Sequence, residues 1–158
     1  MNANWPRWIF ASISKHLKAL EPSDFKLYIE GQTRNTRDLQ NFFEFRMDGP
    51  KYQPMSKGHY EAYIEVNLLV QSVMDDKDYH KIHRYVGLCA TYLDGADPIP
   101  IYKLGNGIDD DQSFIDCLNL TAGDGGERLV IAHFGIVDPK VRLEQASVEA
   151  HYRIDLFD

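Results

Sequence analysis

The chain has 158 residues, 44% of them hydrophobic and 26% charged, with a formal net charge of -7. That length suits one domain able to withdraw about 70% of its unfolded surface from water, and the hydrophobic share excludes global disorder. The acidic balance excludes a protein whose main task is to grip phosphate backbones, which takes clustered Lys and Arg; Arg34, Arg37 and Arg46 are interleaved with Asp38, Glu44 and Asp48, as in a solvated loop.

Met1 to Ala11 has no basic region followed by a long apolar run, so no secretory signal is expected, and no run of about 18 apolar residues is present to cross a membrane. From Asn4 to Leu20, Trp5, Ile9, Phe10, Ile13, Leu17 and Leu20 recur at helical spacing; Asn4 is placed to cap this amphipathic helix, and Pro6 is tolerated in its first turn. Glu21 to Asp24 end it. Phe25, Leu27 and Ile29 then alternate with Lys26, Tyr28 and Glu30 as a strand that stops at Gly31. Gln32 to Asn41 is polar and aperiodic, a loop before a second strand over Phe42 to Met47, in which Phe43, Phe45 and Met47 oppose Glu44 and Arg46. Gly49 to Gly58, with Pro50 and Pro54, is expected to be a connection long enough for a functional loop or flap.

The clearest pattern follows. Tyr60, Ala62, Ile64, Val66, Leu68 and Val70 alternate with Glu61, Tyr63, Glu65, Asn67 and Leu69. Extended to His59 and Ser72, this strand spans roughly 46 Å, against a radius of gyration of about 15 Å for a compact chain of this length. It is expected to overhang its domain and to leave backbone groups that another chain would pair. Asp75 or Asp76 is expected to cap a helix reaching Leu93, with Tyr79, Ile82, Val86, Cys89, Ala90 and Leu93 on its apolar stripe and Asp94, Gly95 and Pro98 stopping it. Short extended segments follow at Ile99 to Leu104 and Phe114 to Leu120, then strands over Arg128 to Val137 and Gln145 to Phe157. Strands on either side of one central helix, without repeating strand-helix units, predict an α+β fold. A mostly antiparallel sheet would carry an N-terminal and a central helix and a long projecting strand, all in a single domain over residues 1–158.

No residue set emerges as catalytic, metal-binding or cofactor-binding. His80 and His83, three apart near Asp76 and Asp78, read as an exposed helix face outside any zinc spacing. Asp109, Asp110 and Asp111, with Asp116 beyond, lack the alternation, glycine and final Glu of an EF-hand loop. Asp124 among Gly123, Gly125 and Gly126 reads as a turn, without the Lys and Ser/Thr of a phosphate loop. Cys89 and Cys117 sit in apolar patterns and are expected as reduced thiols; no serine has a nucleophile-elbow context. Glu61 and Glu65 fall on the polar face of the long strand, and Phe42, Phe43 and Phe45 suit packing, since no basic run flanks them. Trp5 and Trp8 either anchor a neighbouring subunit or staple the first helix to the sheet.

The order of elements, an N-terminal amphipathic helix, strands leading to the long strand at Gly58 to Val73, an Asp-started helix over Asp75 to Leu93 and a closing strand such as Val148 to Leu156, resembles the tail terminator or minor tail proteins of long-tailed bacteriophages. The resemblance implies a structural virion protein, not an enzyme. It would be a homo-oligomer, a six-membered ring that caps the tail tube, stops its growth and joins the tail to the head connector or another neck protein. DNA would pass through the channel, and no membrane or cofactor would be involved. The chain would be assembled in the host cytoplasm and reside in the virion tail or neck. It further implies subunit or partner contacts through Trp5, Trp8, Pro50, Tyr52, Pro54, Tyr63 and Leu69, and acids lining the lumen from Glu61, Glu65, Asp109, Asp110 and Asp111. The long Gly49 to Gly58 connection and the stretch from Asp94 to Gly126 depart from the smaller members. A tail tube subunit or other neck protein is the nearest alternative. From another class comes a small enzyme or ligand-binding domain with a pocket between the sheet and the central helix.

Overall fold

A computed structural model describes residues 1–21, 26–31, 41–95, 98–104 and 112–158. Within them lie α1 (Trp5–Ala19), β1 (Lys26–Ile29), β2 (Asn41–Ser56), β3 (His59–Val73), α2 (Lys81–Leu93), β4 (Ile99–Tyr102), β5 (Phe114–Leu120), β6 (Leu129–Asp138) and β7 (Leu143–Phe157). The strands form one sheet in the order β1-β2-β3-β7-β5-β4, with β6 also on β7. Every pairing is antiparallel except β1 with β2. This is the α+β sheet with N-terminal and central helices that the sequence predicts. No helix among the described residues is long and apolar enough to cross a membrane.

The period-2 pattern of β3 sets the layers. Ala62, Ile64, Val66, Leu68 and Val70 are buried together with the alternating Ala146, Val148, Ala150, Tyr152, Ile154 and Leu156 of β7. Both helices pack on this face. Ile9, Ile13 and Leu17 bring α1 down on it, and Ile82, Val86, Cys89 and Leu93 bring α2. The Tyr152 hydroxyl donates to the Leu93 carbonyl at 2.5 Å, which satisfies one of the unpaired acceptors at the end of α2. The other face, with Glu61, Tyr63, Glu65, Asn67 and Leu69 of β3, is half-exposed.

Three expectations are corrected. First, β3 has the predicted length but lacks unpaired backbone: β2 pairs it from Ser72 to His59, and β7 pairs it in register from His59↔Phe157 to Val73↔Leu143. Three strands of 15 or 16 residues lie side by side, so each supplies the others' hydrogen bonds. Second, Gly49 to Gly58 is no flap. It is the distal half of β2, and the reversal is a tight turn at Lys57 and Gly58. The glycine and prolines that suggest a loop are accommodated as a bulge and at an edge. The register skips between Asp48 and Lys51, where Gly49 has φ +99° and a Cβ would stand 2.8 Å from the Tyr63 carbonyl. Pro54 lies beyond the stretch of β2 that β1 pairs, next to a second register shift, an edge position where proline is tolerated.

Third, α2 starts at Lys81, not at Asp75 or Asp76. The Asp75 carboxylate accepts from the Lys77 N–H at 2.9 Å and the Asp75 carbonyl from Asp78 N–H at 3.0 Å, so Asp75 organises a turn that competes with helix. Tyr79 is accordingly exposed rather than on the apolar stripe. At the other helix Asn4 occupies the cap position without a side-chain bond, and the Asn2 side chain instead accepts from the Asn4 N–H at 2.9 Å. Cys89 is a buried free thiol and Cys117 a half-buried one, as expected of reduced cysteines.

Trp5 decides between the two roles open to it. It is 2% exposed, with Tyr52 at 5.9 Å and Tyr60 at 5.6 Å between ring centroids, so it staples α1 to the distal ends of β2 and β3. Trp5→Ala is expected to lower the unfolding free energy by about 3–5 kcal/mol in urea titrations of the isolated chain. A contact made only between subunits would leave that value unchanged.

Candidate functional site

On the open face, β7 changes partners. Residues 143–150 of its outer edge pair with β6, and Tyr152 and Arg153 pair with β5. His151 is the point of exchange: its N–H donates to the Arg128 carbonyl at 3.1 Å, and its carbonyl accepts from the Thr121 N–H at 2.8 Å. The connection between β5 and β6 therefore leaves and re-enters the sheet at one residue. It closes on itself through Gly123 N–H to the Glu127 carbonyl and Gly126 N–H to the Gly123 carbonyl. The Gly123 to Gly126 run is the turn that the sequence predicts, and it stands as a wall over His151. A Cβ on Gly123 would fall 2.7 Å from His151 Nε2, so only glycine lets the ring lie against the backbone.

Between this wall and the Asp48 and Lys51 segment of β2 lies a cleft of about 680 Å³. Its floor carries Glu65, Glu149 and His151, which the β3–β7 register brings together: Glu65 faces His151 directly, and Glu149 precedes His151 by two residues on the same face. His151 Nε2 and Glu149 Oε1 are 3.0 Å apart. One donor atom from each of the three residues lies within 4.8 Å of the others. Burial, and then the charge of Glu149, raise the Glu65 carboxyl above its usual value; Asp48 adds to this, while His151 and Lys51 oppose it. Two carboxylates and an imidazole on a half-buried floor can accept protons or hold a cation.

The predicted contact and lumen residues disperse. Trp5 is inside the core, and Trp8 is partly buried with its indole N–H donating to the Leu104 carbonyl at 3.1 Å. Tyr52 packs against Trp5, Pro50 is half-buried in the β2 bulge, and Pro54 is exposed near the hairpin tip. Tyr63 and Leu69 share the open face, half-buried. Tyr63 donates to Glu61 Oε2 at 2.8 Å, and Arg153 pairs with Glu61 Oε1 at 3.3 Å, so Glu61 is already neutralised within the chain. Glu65 belongs to the floor of the cleft. Asp109, Asp110 and Asp111 lie outside the described residues, as do Arg34, Arg37 and Asp38. The sheet and α2 meet through buried side chains, so the cleft is on the opposite face from the predicted pocket.

Two features are absent from the sequence reading. One is the floor cluster, whose members are 84 and two residues apart in the chain. The other is the surface of β6. From Leu129 to Val137 it has no acidic, Lys or Arg side chain, yet Val130, Ile131, Phe134, Ile136 and Val137 are exposed, Phe134 at 54%. Alternation gives no signal there, since both faces are apolar; the uncharged run itself is the one legible sign. Among the described residues β7 is its sole strand partner, and register shifts between His133/Gly135 and Ile136/Asp138 bulge Phe134 and Val137 outward. His83 of α2 reaches it, with 4.6 Å between the His83 and His133 ring centroids.

No protein-family model matches the chain, and no curated protein matches its sequence.

The Glu65 proton gives a pH-dependent test. A carboxyl raised in the folded state binds its proton more tightly there than in the unfolded chain, so stability falls as pH rises from the ordinary Glu value through the folded one, and the deficit persists above. Glu65→Gln removes it. In urea unfolding the variant is expected to be more stable than the parent at pH 7.5, with the difference vanishing below about pH 4.

Proposed function

We propose that this chain is a structural assembly subunit of the kind the tail terminators represent: copies close into a ring, six-membered by that resemblance. The ring caps the tail tube and joins it to the head connector or another neck protein, in the virion, with DNA passing through. The observation that supports the reading is the uncharged, exposed stretch of β6 from Leu129 to Val137. A strand edge of this kind is a template for association. Its two bulges interrupt regular strand addition, which favours a side-chain contact of fixed geometry over open-ended stacking.

The occupant is a second copy of the chain. A ring formed by head-to-tail contacts needs two different patches on one subunit. β6 flanks the Leu143–Ala150 half of β7, and the far end of β7 presents Phe157, 67% exposed, near Met55 at the tip of the β2–β3 hairpin, about 38 Å along the strand from the level of Phe134. Apolar patches at opposite ends of a rigid sheet suit subunits arranged side by side around an axis. The acids of the open face, Glu65 among them, would then be available to a lumen that repels phosphate. A tail tube subunit would use the same surfaces. The competing reading of another class, a ligand-binding domain or small enzyme, is favoured by the cleft over Glu65, Glu149 and His151.

Light scattering over a range of concentrations tests assembly. The parent chain is expected to give a discrete closed species of about six copies, alone or upon addition of tail tubes; a monomer in both conditions overturns the reading. Phe134→Lys and Phe157→Lys are each expected to abolish the closed species while leaving the circular dichroism unchanged. Mixed together, they should form a heterodimer, because each retains the patch the other has lost; an interface that uses β6 on both sides gives no such rescue.

A further inference from the structure

The floor of the cleft carries an inference independent of assembly. We propose that Glu65, Glu149 and His151 bind one divalent transition-metal ion, of the Zn²⁺ class.

Spacing supports this. At ligand distances of about 2.0–2.1 Å, two donors on one ion stand about 2.9–3.4 Å apart for angles between 90° and 109°. His151 Nε2 and Glu149 Oε1, at 3.0 Å, already have that separation. Glu65 is within 4.8 Å of both and closes the remaining gap by side-chain rotation, since its backbone is fixed opposite His151. The ion takes the place of the proton that links the imidazole and the carboxylate.

The surroundings point the same way. Two glutamates converge on a half-buried floor, and among the described residues no Lys or Arg is paired with either. Lys51, the nearest wall cation, is paired with Asp48 at 3.5 Å. Two like charges held together by strand register have His151 as their one close partner within the cluster, and a cation bound among the three would offset them more fully. The His151 ring is positioned by contact with Gly123, so one ligand is pre-oriented. Imidazole with two carboxylates favours a borderline ion over Mg²⁺ or Ca²⁺, which take all-oxygen shells. Three protein ligands leave a position for water, and the cleft above, about 680 Å³, has room for it.

The probe is Zn²⁺ alone, titrated calorimetrically into the full chain at pH 7.5. The expected result is one ion per chain and a raised unfolding temperature. Glu149→Gln and His151→Ala should each weaken binding by at least about tenfold. Gly123→Ala keeps all three ligands but drives a methyl into the His151 ring, and should also weaken binding while the fold, followed by circular dichroism, is kept. His83→Ala is the control for the other histidine group, where His80 and His133 flank His83 with ring centroids 6.4 and 4.6 Å from its own. Loss of binding in His83→Ala with retention in His151→Ala overturns the proposal. So does equal affinity in the parent and Glu149→Gln, or no heat of binding at millimolar Zn²⁺. Displacement of the ion by a tenfold excess of Mg²⁺ would overturn the assigned class.

Discussion

The pairing of β3 with β7 holds the molecule together. Fifteen consecutive residues face fifteen others without a bulge, from His59 opposite Phe157 to Val73 opposite Leu143. A slip of one residue would turn Ile64, Val66 and Leu68 to the open face and bring Glu65 and Asn67 under the helices. Such a slip exposes several large apolar side chains at about 1.5–3 kcal/mol each, so the register is held by burial along its whole length. The two helices follow from it. Each has a single apolar stripe, and the β3–β7 face, with parts of β2 and β4, is the surface that accepts both.

Because that register is uninterrupted, irregularities are confined to the flanking strands. β2 absorbs Gly49 and Pro50 as a bulge and returns to register at Lys51. β6 bulges twice, and β5 reaches β7 over two residues only. The outer edge of β7 is consequently shared between two strands that part at His151, and the turn connecting them stands over the open face as one wall of the cleft, opposite Asp48 and Lys51. The recess on the open face is thus built from backbone hydrogen bonds, with the Gly123 to Gly126 turn as its wall. A site on strands locked by a long register is held more rigidly than one on loops alone.

Electrostatics divide the open face. Near the hairpin end, Glu61 is met by Arg153 and Tyr63, and His59 Nε2 lies 3.0 Å from Asp155 Oδ1. The Glu61–Arg153 and His59–Asp155 pairs cross between β3 and β7, are part-exposed, and each contributes about 0.2–1 kcal/mol. In the middle, Glu65 lies opposite His151, and Glu149, two residues before it on the same face, closes the cluster. Toward the opposite end the acidic face gives way to the uncharged Leu129–Val137 stretch of β6. A chain of net charge -7 whose exposed Leu129–Val137 stretch carries no Lys, Arg, Asp or Glu has a surface suited to contact at one edge and repulsion elsewhere.

The sequence by itself determined the elements whose periodicity is unambiguous: the stripe of α1, the alternation of β3 and β7, the strand order along the chain and hence the α+β class. Local composition misled where a neighbour overrode it. Gly49, Pro50 and Pro54 carry loop signals, but a strand of matching length lay ready to pair them, and Asp75 bonds its own turn before α2 can begin. Only the tertiary structure decided that Trp5 is a core residue, that Glu65 meets Glu149 and His151, and that β6 lies at an exposed edge. Each depends on which strands become neighbours and in what register, a property of long-range pairing that no local window of sequence contains.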